Sequence, residues 1–146
     1  MSSAPLFALP SHAADLARIE AALIESVHTP DPYLNDIASH LIVAGGKRLR
    51  PVLAVVAAQV AGPGDALVHE RSVQGGIACE LVQTGSLYHD DVMDEADTRR
   101  GVDTVNAKWG NLQAILAGDF LLARASEIAA SLGVEIAGLL AATIGR

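Results

Sequence analysis

The chain has 146 residues, 51% hydrophobic but only 3% aromatic, with a formal net charge of -7. That length fits one domain with a sizeable core, and the acidic balance argues against non-specific binding to nucleic acid or an anionic membrane surface. Cys79 is the only cysteine, which leaves no intrachain disulfide or cysteine-based metal site and points to a reducing, cytoplasmic setting.

An Ala-, Leu- and Val-rich chain with few aromatics reads as packed helices, so the expected fold class is all-α, a helical bundle. Residues 1–11 read as a flexible arm, without the basic start and long apolar run of a signal peptide. Ser11 or Asp15 is placed to cap a first helix to about Val27, with Leu16, Ile19, Leu23 and Val27 on one stripe. His28-Thr29-Pro30 breaks it. Asp31 caps a second helix with Pro32 in its first turn, and that helix stops at Gly45-Gly46. Pro51 opens a third, running to about Ala61. The stretch Val52 to Gly62 is the longest strongly apolar run, and it is too short to span a bilayer. Gly62-Pro63-Gly64-Asp65 is a turn. A long helix follows from about Leu67 to Asp94, some 42 Å at about 1.5 Å per residue. Arg99 to Asp103 reads as a loop and Thr104 as an N-cap. Helical pattern resumes from Ala107 to Ser131, with candidate interruptions at Gly110 and Gly118. A last apolar helix, Val134 to Ile144, reads either as an unfinished architecture or as the closing helix of a bundle. No strand-like alternation of useful length occurs.

The chemistry concentrates in His89-Asp90-Asp91-Val92-Met93-Asp94, followed by Glu95, Asp97, Arg99 and Arg100. Asp90 and Asp94 stand four apart, on one helix face. Like charges at that spacing cost about 0.2–0.5 kcal/mol, and a helix C-terminus disfavours anions by about 0.3–1 kcal/mol. A hard divalent cation reverses both signs, since Mg²⁺ takes one or two carboxylates plus substrate phosphates. The two arginines suit a diphosphate, which guanidinium grips bidentately. The plainer reading is a solvated acidic helix end running into a charged loop.

Of ten Lys and Arg residues, five lie in two clusters, Lys47-Arg48-Arg50 and Arg99-Arg100. They read as sites for a compact anion or as two ordinary basic loops. On the long helix, Gly76, Cys79, Gln83, Ser86, Asp90 and Asp94 form one stripe, opposite Ile77, Leu81, Thr84 and Tyr88. Small residues below two carboxylates line a cavity for an elongated apolar ligand with an anionic head, or make a close helix–helix seam. A metal phosphohydrolase built on His40, His89 and Asp90 is a weaker alternative, because that spacing identifies no metal site.

Three stretches together, GGKRLRP (Gly45–Pro51), ELVQTGSLYHDDVMDEADTRRG (Glu80–Gly101) and AGDFLLARA (Ala117–Ala125), resemble the polyprenyl synthetases, the trans-prenyl diphosphate synthases. The resemblance covers nearly everything after the first dozen residues, so 12–146 read as a partial polyprenyl synthase domain. It implies a helical bundle around a deep cavity, usually in a homodimer. It also implies Mg²⁺-dependent condensation of isopentenyl diphosphate with an allylic diphosphate. By position it implies that Asp90 and Asp94 hold Mg²⁺ on the allylic diphosphate, with Asp91 helping, and that Arg99 contacts that diphosphate. It assigns Lys47, Arg50 and Arg100 to isopentenyl diphosphate. Gln83 stands where many members have a histidine for the same substrate. Gly85 and Ser86, five and four residues before the first aspartate, are small, as in members making geranylgeranyl or longer products. Tyr88 falls on the far face by helical phase and should not block the cavity. The chain lacks a second aspartate-rich motif. The expectation is therefore an inactive half, one subunit of a split enzyme awaiting a complementary chain, or a non-catalytic module that grips diphosphate and Mg²⁺.

Overall fold

The computed structural model describes residues 11–62 and 66–146. Its helices are α1 (His12–Ser26), α2 (Pro32–Val43), α3 (Leu49–Ala61), α4 (Ala66–Met93), α5 (Val105–Trp109), α6 (Asn111–Leu132) and α7 (Val134–Ile144). A short hairpin, β1 (Thr98–Arg99) and β2 (Val102–Asp103), joins α4 to α5. The expected arm, apart from Ser11, lies outside the described residues, as does the turn at 63–65. Among the described residues no helix is long and apolar enough to cross a membrane.

Helix α4 is the central element. It packs mainly on α6 and α3, with α1 across it. The face carrying Ile77, Leu81, Thr84 and Tyr88 is fully buried, as its phase predicts. Facing it are Ile19 and Leu23 of α1, Leu41 and Ile42 of α2, Val55 of α3, and Leu121 of α6. Full burial of each such Leu or Ile contributes about 1.5–3 kcal/mol. The α4–α6 seam uses small residues instead. A Cβ on Gly85 would stand 3.0 Å from the Gly118 carbonyl oxygen, and one on Gly118 would stand 2.3 Å from His89 Nε2. Two glycines and the buried Ala114, Ala117 and Ala125 let these helices meet backbone to backbone.

Local chemistry explains the element ends. The Asp31 side chain accepts from the amides of Tyr33 and Leu34, with Pro32 in the first turn of α2. Thr104 accepts from the amide of Ala107 and caps α5. The helical stretch expected from Ala107 to Ser131 begins at Val105, and of its two candidate interruptions only Gly110, whose φ of 96° ends α5, is a break. Gly118 stays helical, because it serves packing and not a turn. Asp15 is not a cap: it sits inside α1, buried, within reach of His69, Gln59 and Arg18. Ser11 precedes α1 without a side-chain cap bond.

The expected loop at Arg99–Asp103 is a two-residue hairpin. Arg100 (φ 54°) and Gly101 (φ 79°) both take positive φ at its tip, the arrangement of a type I′ turn. Helix α7 rests on α6 through the half-buried Leu140. It buries no residue fully and exposes Val134, Leu139 and Ile144.

Candidate functional site

The acidic cluster stands at the C-terminal end of α4. The Asp94 amide donates to the Asp90 carbonyl at 2.8 Å, so the helical repeat runs through Asp94 and both side chains leave one face a turn apart. Asp90 is half-buried and Asp94 exposed. Among the described residues neither carboxylate meets a cation or a hydrogen-bond donor. Asp91 is placed differently. It is 1% exposed, and Arg99 Nε donates to its Oδ1 at 2.7 Å. Its buried Oδ2 has no partner. Beyond the cluster, the Ala96 amide donates to the Asp91 carbonyl, and Thr104 Oγ1 and Asn106 Nδ2 both donate to the Ala96 carbonyl. The hairpin carrying Arg99 is thereby fixed against the end of α4.

Two unpaired carboxylates and one half-satisfied carboxylate are hard oxygen donors of the kind Mg²⁺ takes. Among the described residues no three His, Cys, Asp or Glu side chains converge as a metal cage. A hard cation here would draw its remaining ligands from substrate phosphate and water, which is how Mg²⁺ is usually held.

The two basic clusters divide by direction. Lys47 and Arg50 are exposed. Arg48, between them, is buried to 1% and has a left-handed backbone, φ 47°. Its guanidinium donates to both Glu20 oxygens (2.6 and 3.0 Å), to the Ile42 carbonyl (2.7 Å) and to Glu80 Oε1 (3.4 Å). Burial works against that charge, but Glu20 and Glu80 outweigh it and hold Arg48 above its ordinary pKa. Arg48 is therefore a core ion-pair residue and offers no charge to an external anion. Arg100 is intermediate. Its Nη1 donates to the carbonyls of Leu41 (2.6 Å) and Gly45 (2.5 Å) at the end of α2, and Nη2 lies 3.9 Å from Glu80 Oε1. Burial and then the charge of Arg48 push its pKa down. Gly45 turns at φ 91°, and a Cβ on Gly46 would stand 3.0 Å from Arg48 Nη1 and 3.4 Å from Arg100 Cζ. Both glycines thus let the turn close over two guanidinium groups.

A groove of about 430 Å³ is lined by Arg50, Leu53, Cys79, Val82, Gln83 and the α7 residues Leu140, Thr143 and Ile144. It brings Arg50 and Gln83 together over an apolar floor. Burial raises the thiol pKa of Cys79, and the charge of Arg50 opposes the rise. The stripe of small residues divides between its two readings. Gly76 makes a seam with α3, where a Cβ would stand 2.6 Å from Pro51 Cα, whereas Cys79 and Gln83 open onto the groove. Gly85 lies in the α4–α6 seam, and the half-buried Ser86 donates its hydroxyl to the Gln83 carbonyl. Tyr88 is in the core, away from the groove, with its hydroxyl donating to the Ile37 carbonyl at 2.7 Å.

Nothing joins His40 to His89. His40 Nε2 pairs with the Asp103 carbonyl and its ring meets Trp109 edge-on, whereas His89 Nε2 is 3.1 Å from the Ile115 carbonyl and 3.4 Å from Asp119. The residues missed in sequence are Glu20 and Glu80. A lone glutamate on an amphipathic helix carries no sign of what it meets. Only the phase of Glu80, next to Leu81 on the buried side, hinted at burial.

A family model described as polyprenyl synthetase matches residues 31–146. The chain is 43% identical over 133 residues to the nonaprenyl diphosphate synthase of Mycobacterium tuberculosis, covering 91% of this chain and 39% of that protein. Among solved structures, it is similar to a decaprenyl diphosphate synthase from Rhodobacter capsulatus, with a TM-score of 0.83 and 34% identity. That match covers 96% of this chain and 42% of the other. It is also similar to a polyprenyl synthase from Caulobacter crescentus CB15 complexed with calcium and isoprenyl diphosphate. There the TM-score is 0.77 and the identity 36%, over 86% of this chain and 37% of the other. The chain thus spans about two fifths of the length of these relatives and matches their N-terminal part.

Proposed function

The chain belongs to the polyprenyl synthetase family, and on that premise we propose that it carries the allylic and isopentenyl diphosphate sites of a Mg²⁺-dependent prenyltransferase. The observation that carries this reading is the pair Asp90 and Asp94, one turn apart and unpaired beside an Arg99 already oriented by Asp91. Asp90 and Asp94 would hold Mg²⁺ on the allylic diphosphate. Arg99 spends its Nε on Asp91, which leaves its terminal amino groups to grip the same diphosphate. Lys47, Arg50 and Gln83 would bind isopentenyl diphosphate, with Arg100 at the edge of their turn. Gln83 contributes hydrogen bonds without charge. When bound, Mg²⁺ supplies positive charge to the departing diphosphate. The isopentenyl double bond then attacks the allylic carbon, and the proton lost passes to released diphosphate, so no nucleophilic side chain is required. Ser86, small and half-buried, would leave room for a product of geranylgeranyl length or longer, whereas the space at Gly85 is taken by the α4–α6 seam. The setting is cytoplasmic.

Catalysis by this chain needs a second set of carboxylates, because a leaving diphosphate is stabilised from both sides. A chain bearing the second aspartate-rich motif would supply it. The test mixes folded protein with Mg²⁺, farnesyl diphosphate and labelled isopentenyl diphosphate. The expected result is no elongated product from the chain alone, and elongated product once a chain bearing the second motif is added. Product from the chain alone would overturn the half-site reading.

A further inference from the structure

The GGKRLRP turn and the Arg99–Arg100 hairpin, far apart in sequence, are joined directly where Arg100 Nη1 donates to the Gly45 carbonyl, and one buried carboxylate reaches an arginine of each. Glu80 of α4 is 3% exposed. Its Oε1 lies 3.4 Å from Arg48 Nη1 of the turn and 3.9 Å from Arg100 Nη2 of the hairpin. Among the described residues three non-glycine positions have positive φ: Arg48, Glu95 and Arg100. Two of these three are the arginines that face Glu80. Left-handed backbone at a long side chain costs of order 1 kcal/mol or more, and it persists where its surroundings over-determine it. Here the strain has a visible result. Arg48 turns inward, so its neighbours Lys47 and Arg50 point outward. Arg100 turns inward against α2, while Arg99 stays on Asp91 beside the unpaired aspartates.

Charge accounting agrees. Arg48 and Arg100 are balanced by Glu20 and Glu80, so this core contributes no net charge to a ligand. The groups left for an anion are the charges of Lys47 and Arg50 on one side and, on the other, the terminal amino groups of Arg99, whose Nε is held by Asp91.

We propose that Glu80 is a positioning residue, which locks the Gly45–Arg50 turn to the Thr98–Asp103 hairpin through Arg48 and Arg100 and so sets the spacing of the two diphosphate grips. The proposal rests on the function given above. It adds that the two grips are coupled, and that the coupling runs through a group touching neither substrate.

The experiment compares the whole chain with Glu80→Gln, Glu20→Gln and Leu81→Val. Amide hydrogen exchange is followed across both segments, and inorganic pyrophosphate binding is measured with Mg²⁺ present. Glu80→Gln keeps the shape and removes the charge. It is expected to speed exchange in 44–50 and in 98–103 together, and to weaken pyrophosphate binding about ten- to a hundredfold, the scale of a displaced binding group. Glu20→Gln touches only Arg48 and should loosen the turn without the hairpin. Leu81→Val, a core change on the same helix, should alter neither binding nor the relative exchange of the two segments. Faster exchange in only one segment of Glu80→Gln, or unchanged pyrophosphate affinity, overturns the proposal. If Glu80→Gln does not fold, loosening of both segments in Glu20→Gln overturns it instead. A wild-type chain that binds no pyrophosphate overturns the functional reading, while the exchange result still decides whether Glu80 couples the segments.

Discussion

Tyr88 places a phenol in the core of the bundle, where its hydroxyl donates to the Ile37 carbonyl. Burial holds its pKa well above the ordinary 10.0. In the unfolded chain the phenol titrates near its ordinary value, so above that pH the unfolded state releases a proton that the folded state keeps. Stability is therefore full below about pH 10 and falls as pH rises beyond it. Denaturant titrations of the wild type and Tyr88→Phe across pH 8–11 are expected to show a shallower alkaline loss in the variant, with some stability already missing at neutral pH from the lost hydrogen bond. Equal alkaline slopes would assign the loss to other groups. Individual residues were unevenly legible in the sequence. The helical phase of Tyr88 was enough to bury it. Lys47, Arg48 and Arg50 look alike in a string, and only the left-handed turn at Arg48 decides which cation goes inside.

At the scale of elements, the α4–α6 seam depends on two glycines that sequence reading treated as a chain-length position and a candidate helix break. A Cβ on Gly118 would stand 2.3 Å from His89 Nε2 and 3.1 Å from the Gly85 carbonyl oxygen. The imidazole can swing away, but the carbonyl belongs to a helix and cannot move alone. Gly118→Ala is expected to part α4 from α6 and to destabilise the chain by about 1–3 kcal/mol, the usual cost of overpacking. A urea midpoint equal to that of the wild type would mean that the seam relaxes freely. Helices with chemical punctuation were legible: the Asp31-Pro32 start of α2, the Thr104 cap of α5, and α4 to within a residue. The hairpin was not, because two strands of two residues are too short for alternation to exist. Its only sign was Gly101 after Arg100, which supplies the positive φ at the tip.

At the scale of the molecule, the C-terminal end of α4 gathers two unpaired carboxylates and an oriented arginine, and beside its middle, next to the Glu80 core, stand two outward cations. Beside them α7 presents Val134, Leu139 and Ile144 to solvent. That apolar surface is in keeping with the proposed half-site. The pattern HDDVMD with arginines behind it singled out this helix end as the candidate site, because like charges at a helix C-terminus suit a cation. The packing around it was not legible, since it rests on contacts between residues 28 to 59 positions apart. The most direct measurement is calorimetric titration of farnesyl diphosphate into the wild type, Asp90→Ala and Arg99→Ala, each with Mg²⁺ and with chelator. Binding that needs both Mg²⁺ and these two side chains is the predicted result. Unchanged affinity in both variants, or binding indifferent to Mg²⁺, would contradict the account.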